Sequence, residues 1–382
     1  MSENLKKIIG KSFIDIAESI ENKEFGEKVK VGLSTLGGEH GPDEIIKGAI
    51  LAKEEMKSTE IVLIGKGHPD FKSFETDCEK DMHEIMEKLL EEGKIDACVT
   101  RHYNFPIGVS TVGKVVTPGL GKEMFLATTT GTASPNREKA MFKNAIYGII
   151  AAKAMGKKDP SVGILNLDSA RKVKRALESL KENGYDINFG ESMRSDGGSI
   201  MRGNDLIAAT SDIMVLDTLT GNIMMKLFSS YTTGGSYEAL GSGYGPGIGF
   251  DYDKNILILS RASGAPVVKG AIKYASKLAE NDLSKHIKNE YKKIKEAGYK
   301  EILESLEPKK AEVKEEITPP EKEIVTESIS GIDVLDLEVA CQTLWKEDIY
   351  AETGMGCTGP IINVNEKNID KAKEILENND YI

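Results

Sequence analysis

The chain has 382 residues, 40% of them hydrophobic and 29% charged, with a formal net charge of −11 at pH 7. That acidic balance argues against nucleic-acid and anionic-membrane partners, because no global positive field would draw in a phosphate backbone. No uninterrupted apolar run reaches the roughly 18 residues of a membrane helix, and the opening stretch MSENLKKIIGKSFIDIAESIENK carries a charge-broken helical stripe where a signal peptide would be apolar, so the expected location is cytoplasmic.

In chain order, residues 28–34 (KVKVGLS) alternate as a strand, and the turn Gly37-Gly38-Glu39-His40-Gly41-Pro42 leads into a helix running to about Met56. Pro42 suits a first helical turn, where its missing N–H costs nothing. A strand at 61–64, a helix at 75–91 and a short strand at 95–99 follow. Further strands read at 124–129, 162–167, 213–217 and 256–260, with helices at 137–155, 169–183, 203–210, 219–228 and 266–280. Strands alternating with helices on short loops predict an α/β fold, a doubly wound parallel sheet with crossover helices. The body, residues 1–306, closes with a polar helix from 283. Residues 307–328, EPKKAEVKEEITPPEKEIVTES, carry too little apolar surface to offset their ordering entropy and read as a charged flexible linker. The remaining module, 329–382, reads as an amphipathic helix with the only tryptophan, Trp345, then a glycine turn, a short strand and a final helix.

Four cysteines occur, Cys78, Cys98, Cys341 and Cys357, with no CxxC and no Cys/His cluster, so structural zinc and dithiol redox chemistry lack support. Cys357 stands apart because it sits in Gly354-Met355-Gly356-Cys357-Thr358-Gly359-Pro360. Glycines there allow close approach to the sulfur, and peptide N–H groups of such a turn can face an oxyanion. Residue chemistry alone leaves two readings, a reactive thiol and a tight turn with an incidental cysteine. Cys98 precedes Arg101 and His102 near a strand's carboxyl end, where cations would favour its thiolate; a buried inert thiol is the other reading. His40, at the same predicted edge, is a general-base candidate.

Two further segments suit an oxyanion. In one, Arg194 and Arg202 bracket a Ser/Gly turn containing Ser195, Gly197 and Gly198. The other, residues 232–249, holds seven glycines beginning at Gly234 and Gly235 and can wrap a phosphate or acyl group, or be a flexible surface loop. Neither a P-loop nor a dinucleotide fingerprint occurs.

GGEHGPDEIIKGAILA, DIMVLDTLTGNIMMKLF and ILILSRASGAPVVKGAIKYA resemble the PlsX-type phosphate acyltransferases, which make acyl phosphates from acyl thioesters and phosphate. Asp217 to Asn222 matches that family's DGFTGN segment, with Thr218 and Leu219 in place of its Gly and Phe, and Glu39 stands where the family has the Asp of GGD. With the tail MGCTGPIINVNEKNIDKAKEILE included, the whole chain resembles the component C alpha subunits of glycine/sarcosine/betaine reductase complexes. This resemblance implies a PlsX-like scaffold related to the isocitrate and isopropylmalate dehydrogenases, a beta subunit and a selenoprotein component A as partners, and no cofactor beyond inorganic phosphate as co-substrate. It implies that Cys357 holds an acetyl thioester, that Cys98 assists, and that Asn222 serves the phosphate or acyl group. A non-catalytic assembly role, phosphate acyl transfer from other thioesters, and a decarboxylating dehydrogenase are the competing expectations.

Overall fold

The computed structural model describes residues 9–10, 12–14, 16–17, 28–195, 197–307, 317–330, 332, 337–356, 359–379 and 381–382. The chain divides into two compact units, Met1–Glu307 and Pro308–Ile382.

A twelve-stranded sheet runs through the first unit. Its first parallel block sets β3 (Lys72–Glu75), β2 (Thr59–Gly65), β1 (Val29–Ser34), β4 (Ala97–Thr100) and β12 (Ile256–Ile258) side by side. The second holds β6 (Glu123–Thr132), β10 (Ile213–Val215), β7 (Ser161–Leu165) and β8 (Asn188–Phe189), with β9 (Ile200–Met201) also pairing β7. Between them lie β11 (Gly245–Ile248) and β5 (Val109–Val116), each antiparallel to both its neighbours. Three successive reversals make the two blocks run in opposite directions.

The expected α/β fold with parallel strands is present as two parallel blocks, and the two antiparallel strands between them make the sheet mixed. The central strands escape sequence patterning for a local reason: β11 reads Gly-Pro-Gly-Ile, without alternation or β-branched residues before its end. Its glycine is required by the fold, since Gly245 has φ +82° and a Cβ there would lie 1.8 Å from the Val112 carbonyl oxygen. In β5 the period is hidden by Gly113, whose Cβ would meet Thr129 at 2.7 Å. Strands such as β2, buried along almost its whole length, show instead the continuous apolar run of a strand covered on both faces.

Two hydrophobic clusters fill the faces of this sheet. One is built by α1 (Gly41–Glu55), α3 (Arg137–Ala154), α4 (Ala170–Glu182), α7 (Ala265–Glu280), α8 (Leu283–Glu296) and α9 (Tyr299–Ser305). The other is built by α2 (Glu79–Glu91), α5 (Gly203–Ala208) and α6 (Thr218–Ser230). Local signals set the helix starts: Pro42, Asp43 and Glu44 open α1, and the Asn136 side chain accepts the Lys139 N–H at 2.8 Å to cap α3. The single polar helix expected from 283 breaks at Gly298, φ +77°, into α8 and α9.

The second unit is a three-stranded antiparallel sheet, β13 (Glu327–Ser330) and β14 (Ala351–Gly356) flanking β15 (Gly359–Val364). Helices α10 (Leu337–Lys346) and α11 (Ile369–Asn378) bury Cys341, Leu344 and Leu376 against Ile329, Ile362 and Val364. This differs from the helix, strand and helix read from sequence. Glu327 and Ser328, assigned to the linker, pair with Val364 and Asn363. The glycine turn is largely ladder: Gly354 pairs with Ile361, Met355 with Pro360 and Gly356 with Gly359. Cys357 and Thr358 lie outside the described residues, as do 308–316 of the linker.

Candidate functional site

Where the two strand blocks approach each other, the ends of β4, β6 and β12 and the first turns of α6 surround a pocket of about 530 Å³. This is the kind of place at which open α/β sheets take ligands. Three cations line it, Arg101 directly after β4, Lys226 on α6 and Arg261 after β12.

Arg101 is only 8% exposed. Its Nη1 donates to the Ser34 carbonyl at 3.2 Å and to the Leu36 carbonyl, while its buried Nε and Nη2 have no partner. Burial draws its pKa down to about 10, with Glu79 acting the other way, so the guanidinium is charged at neutral pH. The first-turn glycine Gly38 packs on it: a Cβ there would lie 3.0 Å from Arg101 Nε. Lys226 Nζ donates to Ser260 Oγ at 3.2 Å and lies 3.6 Å from Glu238 Oε1. Burial works to lower the Lys226 pKa, but Tyr244 and Glu238 outweigh it and hold the ammonium above its ordinary value. Glu238 is anchored in turn by the Ser263 hydroxyl at 2.9 Å.

The helix that brings Lys226 here is fixed at its start. Asp217 caps α6 by accepting the Thr220 N–H at 2.9 Å, and Arg137 donates to the same carboxylate at 2.8 Å. Burial acts to raise the Asp217 pKa, yet these donors overcome it and leave it lowered. Asn222 lines the pocket one turn before Lys226 and donates to the Thr129 carbonyl at 3.3 Å. Thus the DGFTGN-like segment positions a pocket wall that includes Asn222.

The other residues singled out from sequence scatter. Cys98 is fully buried in β4, outside the pocket lining, and burial pushes its thiol up to about 12. Of the two readings of Cys98, burial favours the inert thiol over the thiolate: the side chain faces the Ile95 and Ile64 side chains, and desolvation disfavours the anion. His40 is exposed, its ring edge-on to Tyr237 at 5.8 Å, and it does not line the pocket. Gly234 and Gly235 lie in an exposed turn after Tyr231–Thr233 and line neither cavity, while residues 242–249 are buried within the sheet. The glycines of this segment are thus mostly a structural necessity, while its Tyr244 lines the Arg101 pocket and its Glu238 pairs with Lys226.

Arg194, Gly197, Gly198 and Arg202 converge on a different cavity, a basin of about 730 Å³ beyond β7 and β9. Ser195 is exposed and not part of its lining. The phosphate candidates named from sequence therefore separate: Arg194, Gly197, Gly198 and Arg202 line this basin, Asn222 lines the Arg101 pocket, and Ser195, Gly234 and Gly235 line neither. Arg101, read only as a modulator of Cys98, and Lys226, Ser260 and Arg261 were the residues missed. The signal was present in outline: Ser260 and Arg261 follow a strand's carboxyl end, and Lys226 stands four residues from Asn222 on one helix face.

The loop beside the basin hangs on one carboxylate. Asp205, 1% exposed, accepts from the Met193 N–H at 2.7 Å, the Arg202 N–H at 2.8 Å and Ser192 Oγ at 2.9 Å. Burial acts to raise its pKa, and these donors reverse that to a net lowering. A carboxylate with a depressed folded pKa contributes stability above its unfolded value and loses it as pH falls through the folded one. Stability should therefore fall below about pH 4, near the free-carboxylate value. Asp205→Asn should remove that part of the acid sensitivity and cost about 1–3 kcal/mol at neutral pH, read from urea unfolding.

Among the described helices none is long and apolar enough to cross a membrane. Residues 29–363 match the model of a family described as fatty acid synthesis protein. The chain is 58% identical, over 98% of both chains, to the glycine/sarcosine/betaine reductase complex component C subunit alpha of Peptoclostridium acidaminophilum. It is 33% identical to the phosphate acyltransferase of Thermotoga petrophila over 52% of this chain and 67% of that one. A branched-chain phosphotransacylase of Enterococcus faecalis V583 overlays with a TM-score of 0.43 at 15% identity, covering 65% of this chain and 99% of that one. The chain belongs to the fatty acid synthesis protein family, together with the phosphate acyltransferases and the alpha subunit of glycine/sarcosine/betaine reductase component C.

Proposed function

We propose that the first unit moves an acyl group from a thioester to inorganic phosphate in the Arg101 pocket, as the acyl phosphate-forming part of a glycine/sarcosine/betaine reductase complex. The observation that carries this reading is the Arg101 guanidinium, buried at the pocket with two N–H-bearing nitrogens unmet. A buried cation in that state is costly until an anion answers it. Phosphate suits the planar fork, and Lys226 and Arg261 supply the remaining positive charge.

In this reading the cations and the Ser260 hydroxyl hold phosphate with one oxygen directed at the thioester carbonyl carbon. That oxygen bonds to the carbon, negative charge develops on the carbonyl oxygen, and the C–S bond then breaks. The departing thiolate takes the proton that the phosphate gives up. Positioning two reactants and neutralising developing charge are the two contributions this pocket can make.

The acyl carrier in this reading is Cys357, and the acyl group is acetyl, derived from a carboxymethyl group on the selenoprotein component A. The C–Se bond breaks, and selenium and a second thiol are oxidised to a selenenyl sulfide as the carbon is reduced to methyl. A carboxylate oxygen leaves as hydroxide when the C–S bond to Cys357 forms. A component C beta subunit completes the assembly. The 58% identity to a component C alpha subunit supports this, together with the glycines that pair on either side of Cys357. Incubating the full chain with acetyl phosphate and mapping it by peptide mass spectrometry should find one acetyl group, on the Cys357 peptide. Cys357→Ala should show no adduct and no phosphate-dependent acetyl phosphate formation, with an unchanged melting temperature. Full activity in that variant would remove Cys357 from the mechanism.

A further inference from the structure

The basin beside α4 shares no lining residue with the Arg101 pocket. We propose that it binds a small molecule of nucleotide size through a diphosphate group. The assignment is independent of the acyl-transfer reading. The basin lies beyond the carboxyl ends of β7 and β9, which Asn166 and Arg202 directly follow. Arg171, Lys174 and Arg175 enter it from α4, and Arg202 from the start of α5. Lys174 is paired with Glu178 at 2.7 Å, whereas the Arg171, Arg175 and Arg202 side chains have no ion-pair partner among the described residues.

Charge at the start of α4 runs against helix electrostatics. A helix N-terminus carries partial positive charge and favours acidic neighbours. Yet the first turn of α4 holds no acidic residue, Arg171 and Lys172 occupy it with only Lys172 answered, by Glu138 at 3.4 Å, and the N-cap Ser169 makes no side-chain cap. That arrangement costs stability unless an anion is bound there. A second observation is independent of it: Ser199 lines the basin, is 3% exposed, and its hydroxyl has no hydrogen-bond partner. Buried hydroxyls are normally satisfied, and one left open beside a basic cavity is a donor waiting for an oxygen. The wall is already in place, because Asp205 ties Ser192, Met193 and Arg202 together.

Charge and size choose the ligand. A phosphomonoester carries about −1.5 to −2 near pH 7, less than the three unpaired arginines; a diphosphate carries more and can span donors from both α4 and Arg202. The volume of about 730 Å³ falls within the range of small-molecule pockets, roughly 300–1,000 Å³, and leaves room for a sugar and base. An acidic protein surface fits less well, since the chain's net charge of −11 repels a large anion. A small one responds mainly to charges within about 10 Å at 0.1 M salt.

Calorimetric titration of the full chain with ADP tests this. Saturable binding below about 1 mM is expected, at least tenfold tighter than AMP and weakened by salt. The double variant Arg171→Ala, Arg175→Ala should weaken ADP at least about tenfold. Without ligand it should melt no lower than wild type, because like charge leaves a helix N-terminus. Ser199→Ala should also weaken ADP, and Arg261→Ala, in the other pocket, should leave it unchanged. No saturable binding, equal affinity for AMP, or a loss with Arg261→Ala matching that of the double variant would overturn the assignment.

Discussion

Arg101→Gln should lower phosphate-dependent acyl transfer by about 10²–10³-fold, the usual cost of removing one donor to developing charge. Glutamine keeps an N–H group that can satisfy the Ser34 or Leu36 carbonyl, so the turn after β1 retains a partner while the cation is lost. The loss should appear in kcat/KM for phosphate, measured by varying phosphate at fixed thioester. Arg101→Lys separates charge from geometry: a point charge without the fork should recover part of the rate and little of the phosphate affinity. The unfolding midpoint of Arg101→Gln should not fall greatly, because an imperfectly paired buried cation contributes little net stability. An unchanged rate in Arg101→Gln would leave the pocket without its phosphate ligand.

Gly221→Ala should destabilise the first unit by about 2 kcal/mol or more, against the helix-propensity gain of about 1 kcal/mol that alanine normally brings. The sign is set by a contact. A Cβ at Gly221 would lie 1.7 Å from the Thr128 carbonyl oxygen and 2.5 Å from Leu216 Cδ1. Thr128 belongs to β6, whose neighbours β5 and β10 prevent it from yielding, so α6 must move. Asn222 and Lys226 would move with it, and activity should drop together with melting temperature. Ile223→Ala is the control: that side chain is 47% exposed, and the change should leave both nearly as in wild type.

Sequence and structure agree where burial imposes a period. The elements β1, β2, α1 and α3 follow from apolar runs and helix caps that local residues dictate. They part at β5 and β11, where close backbone approach demands glycine and erases the pattern that would announce a strand. Residues 234–249 show the same limit from the other side. Glycine density looks identical whether backbone must approach a ligand or another strand, and Gly245 against Val112 is the second case. For the pocket lining, Asn222 stood out in the sequence because a contiguous motif carries it. Arg101, Lys226 and Arg261 come from three separate segments, and their convergence depends on strand order, which spacing along the chain does not encode. Cys98 misled because nearness to Arg101 in sequence placed it at a strand end, while β-strand alternation turned the two side chains apart.

The insertion of β12 between β4 and β11 has a consequence for the growing chain. During synthesis β1, β2 and β4 emerge early, but β4 keeps one edge unpaired until the segment carrying β12 has been made. Arg101 reaches Arg261 only at that moment, so the pocket is among the last features to assemble. Non-local pairing of this kind slows folding and leaves an apolar strand edge open to wrong partners meanwhile. Newly made protein interrupted before β12 should therefore collect as a sticky half-sheet that lacks its arginine pair, and the yield of active chains should respond to how fast translation crosses that interval.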